Sequence, residues 1–415
     1  MMKKYNKKIR TLDLFAGCGG LTEGFEMAGD FETTACVEWD KTSRDTLANR
    51  LKKRWGYEDA EKRVFRFDIQ RTMELLHGWK EDPVYGMNPG LSTLINNQKS
   101  QIDLIVGGPP CQAYSIAGRI RDEHGMNNDY RNYLFETYVK LVSYFSPKAF
   151  IFENVPGMLS AKPGGVSIID RVRQSFKNAG YSITDDINKY ALVDASDYGV
   201  PQNRKRLILF GIRDGVFSDD SQIILNSFYT KVLPQFKTNR KKTVSEAIFD
   251  LPKFRVNPDK KEVKKYSHIP KSTDILNHQP RHHSERDISI FQELALDATR
   301  EIKKYGTIES IKKLYTQQTG KISNIHKYYV LESDKPSNTI VSHLYKDGLR
   351  HIHPDPEQAR SITVREAARL QSFSDDFEFL GSRGDQYKMV GNAVPPELAK
   401  IVAKSVMMCF NEYLT

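Results

Sequence analysis

A short apolar run that ends in a rigid turn constrains this chain more than any other feature of its sequence. Residues 102–106 predict a short buried strand, and the Gly-Gly-Pro-Pro turn at residues 107–110 ends it abruptly. Glycines allow the sharp turn, and prolines fix φ immediately before Cys111. Since α/β folds place their chemistry at the carboxyl ends of buried strands, Cys111 is a candidate nucleophile. The alternative is a buried structural thiol.

The composition indicates a globular protein of two domains. The chain has 415 residues, of which 39% are hydrophobic and 11% aromatic. No apolar run approaches the roughly 18 residues of a membrane helix, and residues 1–10 are too polar for a secretory signal. The four cysteines contain no CxxC pair, which argues against a standard zinc cluster and favours reduced thiols. We therefore expect a cytoplasmic protein without a membrane partner.

The positive charge is concentrated in one segment. The formal charge is +10, and residues 231–330 contain 21 Lys and Arg against 11 Asp and Glu, so the rest of the chain is balanced. A neutral body with one basic module is what an enzyme that handles nucleic acid needs. A well-solvated surface lobe is the plainer alternative.

Three successive strands are predicted to end in residues suited to an adenosine ligand. The strand at residues 11–15 leads through a glycine-rich turn into a helix at residues 21–28. Thr22 stands where a dinucleotide fingerprint needs glycine, and the chain has no phosphate loop. The strands at residues 33–37 and 64–67 end in Glu38-Trp39-Asp40 and Asp68-Ile69. This order favours a ligand that carries adenosine but no pyrophosphate.

A second carboxyl group follows an apolar strand further along the chain. Residues 148–152 predict this strand, and Glu153 at its end should be partly desolvated, with a raised pKa. Such an acid could donate a proton to a ring nitrogen, although a surface ion pair is the alternative. Arg204 and Arg206 precede a strand at residues 207–212 and could hold a carboxylate, a phosphate or a base carbonyl; a solvated basic turn competes.

The connecting segments are less regular. Residues 116–132 are polar and glycine-containing, which is typical of a lid over a site, with plain disorder as the alternative. Residues 78–100 are interpreted as an irregular surface insertion, and residues 133–145 and 167–178 as helices.

Several sequence blocks together resemble the DNA cytosine-5 methyltransferase family. They are DLFAGCGGLTEGF, GGPPCQAYS, ENVPG and QNRKR in this order, followed by RSITVREAARLQSFSDDF and GNAVPP. The fifth block begins with a predicted capping box, Thr363 with Glu366, and the last opens a terminal helix. The resemblance covers residues 11–213 and 336–406, and the unmatched basic segment corresponds to the family's target-recognition region.

The resemblance implies a fold and a domain organisation. It implies an α/β Rossmann-like methyltransferase domain with a mostly parallel sheet, plus a smaller basic target-recognition domain. We expect the catalytic domain at residues 1–230, completed by a C-terminal helix at residues 385–415, with the recognition domain and hinge at residues 231–384.

The resemblance also implies the reaction. A methyl group passes from S-adenosyl-L-methionine to carbon 5 of a flipped-out cytosine in a specific double-stranded DNA sequence, leaving S-adenosyl-L-homocysteine. Cys111 would attack carbon 6, and Glu153 would protonate or hydrogen-bond N3. Arg206 would contact the base carbonyl, and Arg204 would support the position of Glu153. The implied cofactor contacts are Phe15, Gly17, Gly19, Glu38, Trp39, Asp68, Ile69, Pro109, Leu134, Asn392 and Val394.

The DNA contacts and partners are predicted more coarsely. The candidate DNA-binding residues are Gln112, Ser115, Arg119, Lys237, Arg240, Lys241 and Lys242. The group His278, Arg281, His282 and His283 could contact DNA, or His278 and His282 could bind a metal, although no cysteine or clear carboxylate supports a metal. We expect a monomer that modifies DNA in a restriction-modification or related defence system, with a cognate restriction endonuclease acting independently.

Three other readings of the sequence stay open. The first is a tRNA cytosine-5 methyltransferase, whose Cys-Phe-Thr tripeptide has only Cys409-Phe410-Asn411 as its nearest counterpart here. The second is a thymidylate-synthase-like enzyme, which would not need the glycine turn with Glu38 and Asp68. The third is a non-catalytic DNA-binding regulator, which should have lost Cys111, Glu153 or the arginines.

Overall fold

The computed structural model describes residues 7–98, 101–110, 134–259, 265–323, 328–346 and 348–414. The predicted nucleophile Cys111, the DNA contacts Gln112, Ser115 and Arg119, and the predicted lid at residues 116–132 lie outside the described residues.

The strands of the described chain form one large sheet and two small ones. In chain order they are β1 (Ile9–Leu14), β2 (Phe31–Glu38), β3 (Val64–Arg66), β4 (Trp79–Asp82), β5 (Gly86–Asn88), β6 (Leu104–Gly107), β7 (Ala149–Asn154), β8 (Tyr181–Ile183), β9 (Leu192–Asp194), β10 (Lys205–Arg213), β11 (Arg255–Val256) and β12 (His268–Ile269). The large sheet has eight strands in the order β3-β2-β1-β6-β7-β10-β8, with β9 beside β10, while β4–β5 and β11–β12 are separate pairs.

Parallel pairing brings the carboxyl ends of five strands to one edge of the sheet. Strands β3, β2, β1, β6 and β7 are parallel neighbours. Strand β10 runs antiparallel to β7, with Ile208 opposite Glu153, so the start of β10 reaches the same edge. The central strands β6 and β7 consist almost entirely of buried apolar residues, as expected for strands covered on both faces. The α/β prediction with a mostly parallel sheet is confirmed.

Helices connect and cover these strands. In the described part of the chain the α-helices are Gly20–Ala28, Lys41–Trp55, Ala60–Arg63, Thr72–His77, Leu91–Asn97, Leu134–Phe145, Ile168–Asn178, Ile187–Tyr190, Ser221–Ser227, Val244–Ile248, Glu285–Ala298, Ile308–Thr319, Val364–Leu370, Arg383–Asn392 and Pro396–Tyr413. The predicted capping box at Thr363 is present, since Thr363 and Glu366 satisfy each other's backbone N–H groups.

The first and last helices pack directly against each other. Helix Gly20–Ala28 approaches Pro396–Tyr413 so closely that a Cβ at Gly24 would collide with Ala399 and the carbonyl oxygen of Pro396. Glycine is therefore required at position 24 for packing. The prediction of one terminal helix over residues 385–415 is wrong, because Arg383–Asn392 and Pro396–Tyr413 are separate helices. Pro395 and Pro396 explain the break, since proline cannot continue a helix from the preceding turn.

The chain divides into two compact units at boundaries that differ from the predicted ones. Unit 1 contains residues 1–198, 204–239 and 394–415, and unit 2 contains residues 199–203 and 240–393. The predicted boundaries at 230/231 and 384/385 each lie nine residues before these divisions. Unit 2 contains 27 Lys and Arg against 21 Asp and Glu, because the acidic stretch at residues 331–393 belongs to it. Its surplus is therefore smaller than that of the segment at residues 231–330.

Two further expectations about local structure are wrong. Residues 78–100 were expected to be irregular, but the described part contains the β4–β5 hairpin and the helix Leu91–Asn97. The sequence also predicts a helix at residues 288–305, whereas the helix in the structure is Glu285–Ala298. The carboxylate of Asp297 accepts hydrogen bonds from the backbone N–H groups of Lys304 (2.9 Å) and Tyr305 (2.8 Å), which folds the chain back after this helix.

The core of unit 2 contains an unusual number of polar groups. Arg360 makes a bidentate ion pair with Glu366, and both side chains are 1% exposed. Burial alone would raise the pKa of Glu366, but the Arg360 guanidinium lowers it to about 2. Burial also lowers the pKa of His268 and His351 to about 4 and that of His353 to about 3. This core therefore depends on neutral imidazoles.

No helix among the described residues combines the length and apolarity needed to cross a bilayer.

The buried histidines predict that unit 2 is sensitive to acid. A histidine whose folded pKa is depressed stabilises the fold above its unfolded pKa of about 6.5 and loses that contribution as pH falls. We expect stability to fall between about pH 6.5 and pH 4, by up to about 1.4 kcal/mol per pH unit for each buried histidine. All three tryptophans (Trp39, Trp55 and Trp79) lie in unit 1. Acid should therefore reduce far-ultraviolet circular dichroism before it changes tryptophan fluorescence.

The control compares two histidines. His353→Gln should lower overall stability but flatten its dependence on pH, whereas His282→Gln at an exposed position should leave that dependence unchanged. Simultaneous loss of both signals with the same midpoint in every variant would contradict the expectation.

Candidate active site

The edge at which the parallel strands end carries the candidate site of unit 1. It brings together the glycine turn after β1, Glu38 at the end of β2, the Gly-Gly-Pro-Pro turn after β6 and Glu153 at the end of β7. Arg204 and Arg206 join them because β10 begins at this edge. These groups are far apart in the sequence, and sheet topology alone makes them neighbours.

Glu38 is locked to the glycine turn by backbone hydrogen bonds. Its Oε2 accepts from the N–H of Gly17 (2.8 Å) and its Oε1 from the N–H of Asp40 (2.8 Å). The side chain is largely buried, and burial raises the pKa of Glu38 to about 7 although both N–H groups oppose that rise. The turn is built from left-handed residues: Phe15, Gly17 and Gly19 all have positive φ. A left-handed phenylalanine is uncommon and is typical of a constrained site.

The other predicted cofactor contacts differ in exposure and location. Trp39 is 60% exposed, Asp68 is half-buried with its Oδ1 accepting from the N–H of Gln70 (3.0 Å), and Ile69, Pro109, Leu134 and Val394 are buried. Asn392 is exposed and belongs to unit 2, whereas all the others belong to unit 1. The glycine turn, Trp39 and the two carboxylates follow three adjacent parallel strands.

Glu153 lies between the Gly-Gly-Pro-Pro turn and Arg206. Its Oε1 is 2.8 Å from Nε of Arg206, and a Cβ at Gly108 would lie 2.5 Å from its Oε2. Their side chains are only 13% and 12% exposed. Burial raises the pKa of Glu153, and Arg206 and Arg204 only partly offset this effect. The predicted rise in the pKa of Glu153 is therefore confirmed, and the group is a buried acid against the turn that precedes Cys111.

Arg204 is more deeply buried than Arg206. It is 1% exposed, and burial together with the neighbouring charge of Arg206 lowers its pKa. Its backbone N–H donates to Oδ1 of Asp194 (3.2 Å). Because two guanidiniums lie beside one carboxyl group, this end of the sheet carries a net positive charge.

Two further buried side chains at this edge, Asn154 and Asp13, are not among the residues predicted from the sequence. Asn154 is 3% exposed; its Nδ2 donates to the carbonyl oxygen of Pro109 (3.2 Å), and its Oδ1 accepts from the N–H of Val155 (2.9 Å). It ties the end of β7 to the proline turn, and its place directly after Glu153 was the available signal. Asp13 is 2% exposed, and its Oδ2 accepts a hydrogen bond from Thr22 Oγ1 (2.6 Å). Burial raises the pKa of Asp13 to about 7.

The predicted DNA-binding side chains in the described regions are exposed. Lys237 belongs to unit 1 and Arg240, Lys241 and Lys242 to unit 2. Arg240 already pairs with both carboxylate oxygens of Glu246 (3.0 and 2.6 Å), so it is less available for a phosphate.

The environment of His278 contradicts the suggestion that this residue contacts DNA or a metal. It is fully buried, with Nδ1 bonded to Thr363 Oγ1 (2.9 Å) and Nε2 to the carbonyl oxygen of Pro252 (2.9 Å). Both ring nitrogens therefore serve the core. Among the described residues, no group of three or more His, Cys, Asp or Glu side chains is arranged to hold a metal ion.

This fold is shared with solved methyltransferase structures. A prophage-encoded E. coli protein, whose name assigns it to the DNA modification methyltransferases, superposes with a TM-score of 0.63 at 24% identity, covering 98% of this chain and 100% of that one. A methyltransferase of Entamoeba histolytica gives a TM-score of 0.55 at 14% identity, with 98% and 99% covered. At these identities the likeness shows a shared fold, the Rossmann-like α/β fold with a mostly parallel sheet.

The sequence comparisons define the family. The profile of the C-5 cytosine-specific DNA methylase family matches residues 9–408. The type II methyltransferase M.Bpa9945I of Bacillus paralicheniformis is 34% identical over 96% of this chain and 99% of its own length. The type II methyltransferase M1.HphI of Haemophilus parahaemolyticus is 30% identical over 97% and 88%. The chain belongs to the C-5 cytosine-specific DNA methylase family and is a DNA (cytosine-5-)-methyltransferase.

The contact between Gly108 and Glu153 predicts a severe effect of a single methyl group. In Gly108→Ala the new Cβ would lie 2.5 Å from Glu153 Oε2, so the acid or the turn must move. We expect methyl transfer to fall by roughly a hundred-fold, the effect of misplacing a catalytic group by about 1 Å. The free energy of unfolding should fall by about 1–3 kcal/mol, as for overpacking. Initial rates on DNA and urea denaturation test both values.

The matched control is Gly306→Ala, where the nearest heavy atom to a new Cβ is 3.4 Å away. It should retain the rate and the stability of the wild type. Equal rates in the two variants would show that Gly108 does not position Glu153.

Proposed function

We propose that this enzyme transfers a methyl group from S-adenosyl-L-methionine to carbon 5 of a flipped-out cytosine in a specific double-stranded DNA sequence, through a covalent adduct of Cys111 at carbon 6. The observation that carries the proposal is the buried acid Glu153, held between Arg206 and the turn that leads to Cys111. The type II names of M.Bpa9945I and M1.HphI support a role in restriction-modification or a related defence system.

The side chains that follow β1, β2 and β3 fit S-adenosyl-L-methionine. The Glu38 carboxylate suits ribose hydroxyls, the exposed Trp39 indole suits an adenine face, and Asp68 can accept from the adenine amine. The other residues that we assign to cofactor binding are Phe15, Gly17, Gly19, Ile69, Pro109, Leu134, Val394 and Asn392. When bound, S-adenosyl-L-methionine supplies an electrophilic methyl group and leaves as S-adenosyl-L-homocysteine.

The protein must make carbon 5 of cytosine nucleophilic. In the proposal the Cys111 thiolate adds to carbon 6, forming a carbon–sulfur bond and pushing the ring electrons towards carbon 5 and N3. Glu153 donates its proton to N3, for which a raised pKa is required, because an ionised carboxylate could not donate. Arg206 stabilises the charge on the base carbonyl. Arg204, buried behind it, is a positioning residue.

The reaction must then restore aromaticity. A base, which we take to be water, removes the proton from carbon 5, and the electron pair reforms the ring double bond as the carbon–sulfur bond to Cys111 breaks. N3 returns its proton to Glu153 in this step, which restores the neutral base and the protonated acid. The target base has to leave the helix first, since carbon 6 is stacked in duplex DNA, and this costs a few kcal/mol. We assign two groups of residues to holding the opened DNA. The first is the segment at residues 116–132 with Gln112, Ser115 and Arg119, and the second is the basic group Lys237, Arg240, Lys241 and Lys242.

One chain contains all the proposed groups, which supports action as a monomer, with a restriction endonuclease as an independent partner. The tRNA alternative receives no support from Cys409, because this thiol is fully buried within the helix Pro396–Tyr413.

The nucleophile assignment is tested by expressing the gene in a bacterial host that lacks cytosine methylation. We expect 5-methylcytosine at one short sequence throughout the genome with the wild type and none with Cys111→Ser, since the hydroxyl is a far weaker nucleophile than a thiolate. Bisulfite sequencing measures both. Cys409→Ser is the matched control and should methylate like the wild type.

A second measurement separates loss of chemistry from loss of folding. Cys111→Ser should bind S-adenosyl-L-homocysteine with the wild-type dissociation constant. DNA carrying 5-fluorocytosine at the mapped site should form a covalent adduct with the wild type only. Methylation by Cys111→Ser would refute the mechanism.

The proposed role of Glu38 predicts that cofactor affinity depends on pH. The ionised carboxylate accepts hydrogen bonds from ribose hydroxyls, and its pKa is about 7 in the ligand-free protein. Affinity for S-adenosyl-L-homocysteine should therefore rise from pH 6 towards pH 8, by at most about ten-fold per pH unit below the pKa. Glu38→Gln should bind weakly with little dependence on pH. Isothermal titration calorimetry across this range tests the expectation.

Asp13→Asn is the discriminating control, because burial raises the pKa of Asp13 to about 7 as well. This variant should keep the pH dependence of cofactor affinity. If the dependence disappears in Asp13→Asn and persists in Glu38→Gln, the assignment of Glu38 is wrong.

A further inference from the structure

A cavity of about 400 Å³ lies within unit 2, and none of the described residues that line it belongs to the candidate active site of unit 1. The residues that line it include Arg281, His282, Tyr345, Arg383, Gly384 and Tyr387, with Ser382 beside them. Two guanidiniums and an imidazole therefore share one cavity with two tyrosine rings, and none of the described lining residues is acidic. We call it the Arg281 cavity.

Arg281 is held rigidly at the wall of this cavity. Its Nη1 donates to the carbonyl oxygen of Leu344 (2.8 Å) and its Nη2 to that of Tyr345 (2.8 Å). The guanidinium carbon lies 5.4 Å from the ring centre of Tyr387. A Cβ at Gly348 would lie 2.8 Å from Nη1, so the backbone of Gly348 packs closely against the guanidinium. Carbonyl oxygens orient the guanidinium without cancelling its charge, and none of the described ion pairs involves Arg281.

Arg383 lines the same cavity, although it lies far from Arg281 in the sequence. It is exposed, and its Nη1 donates to the carbonyl oxygen of Pro280 (3.2 Å), beside Arg281. Two lysines extend the positive charge, since the ammonium groups of Lys388 and Lys346 lie 5.0 and 5.4 Å from the ring centre of Tyr345. The nearby carboxylate is Asp385, which Ser382 Oγ (2.6 Å) and Lys388 (3.4 Å) already occupy.

These features select a phosphate over other ligands. A fixed guanidinium fork with a second one beside it matches the oxygen geometry of a phosphate, and guanidiniums are less strongly hydrated than ammonium groups. The cavity has few apolar groups beyond the two rings, so a hydrophobic ligand gains little there. A DNA methyltransferase meets phosphates in one abundant form, the backbone of its substrate.

We propose that the Arg281 cavity binds a backbone phosphate of double-stranded DNA. The inference rests on the proposed function insofar as unit 2 acts on the DNA substrate. It differs from the lysine-rich cluster at residues 237–242, because the ligand here is held by preorganised guanidiniums in a cavity. A phosphate contact of this kind fixes the register of the protein on the duplex without reading sequence.

The test uses the full-length protein and Arg383→Ala, because Arg383 is exposed and its loss should not unfold unit 2. The probe is a fluorescein-labelled duplex of arbitrary sequence, titrated between about 50 and 200 mM NaCl. Loss of one phosphate contact should reduce the slope of log affinity against log salt concentration by about 0.9. The dissociation constant at low salt should rise roughly five- to ten-fold, and Arg383→Lys should recover part of the loss.

The matched control is Arg300→Ala, which removes the same charge from an exposed position outside the cavity. It should change the slope by much less than Arg383→Ala does. Equal slopes in the two variants would overturn the proposal, since the effect would then reflect net charge. Arg281→Gln provides a second variant at the wall; it removes the charge and should reduce the slope as Arg383→Ala does.

Inorganic phosphate distinguishes a DNA site from a site for free phosphate. If inorganic phosphate protects the wild type but not Arg383→Ala against thermal unfolding, while the two proteins show the same DNA slope, the site serves free phosphate and the proposal is wrong. Because the readout is binding, it is independent of methyl transfer. A protein that binds DNA with the expected slopes but transfers no methyl group would refute the catalytic proposal and leave this one standing.

Discussion

The contact of Glu153 with Arg206 and the Gly-Gly-Pro-Pro turn is the constraint around which unit 1 is arranged. A buried ion pair gives little net stability, since desolvation offsets the attraction, but loss of one partner leaves an uncompensated charge that costs several kcal/mol. The raised pKa of Glu153 shows that burial outweighs the attraction of the two arginines. The arrangement is therefore poor as a stabilising device, and it suits the proton-donor role that we propose for Glu153.

Backbone hydrogen bonds keep this acid and its neighbours in place. Asn154 joins the end of β7 to Pro109, and Glu38 joins the end of β2 to Gly17, so that two strand ends are each tied to the turn beside them. Such bonds to buried groups are costly to lose, because each would leave an unsatisfied donor or acceptor. The same logic explains the left-handed conformations at Phe15, Gly17 and Gly19, which the surrounding sheet enforces.

The core of unit 2 is held together by buried polar and charged groups. It contains the Arg360–Glu366 ion pair, several neutral histidines, and Gln202, whose amide donates to Leu370 and accepts from the N–H of Ile340. Polar cores of this kind specify one arrangement, because every group must find its partner. Gln202 belongs to the same sequence block as Arg204 and Arg206, yet it serves the core of unit 2 while they serve the site of unit 1. One short motif therefore contributes to both units.

The sequence alone determined the parallel α/β architecture, the family, and the chemical types at the strand ends, because apolar runs, turn residues and motif spacing are local properties. It also anticipated the raised pKa of Glu153 from the apolar run before it. It did not reveal Asn154 or Asp13 as buried supports, the burial of His278, or the hairpin in residues 78–98. It also misplaced the end of the helix Glu285–Ala298. Only the tertiary structure decided these points, because burial and hydrogen-bond partners depend on residues that are distant in the chain, such as Pro109 for Asn154 and Thr363 for His278.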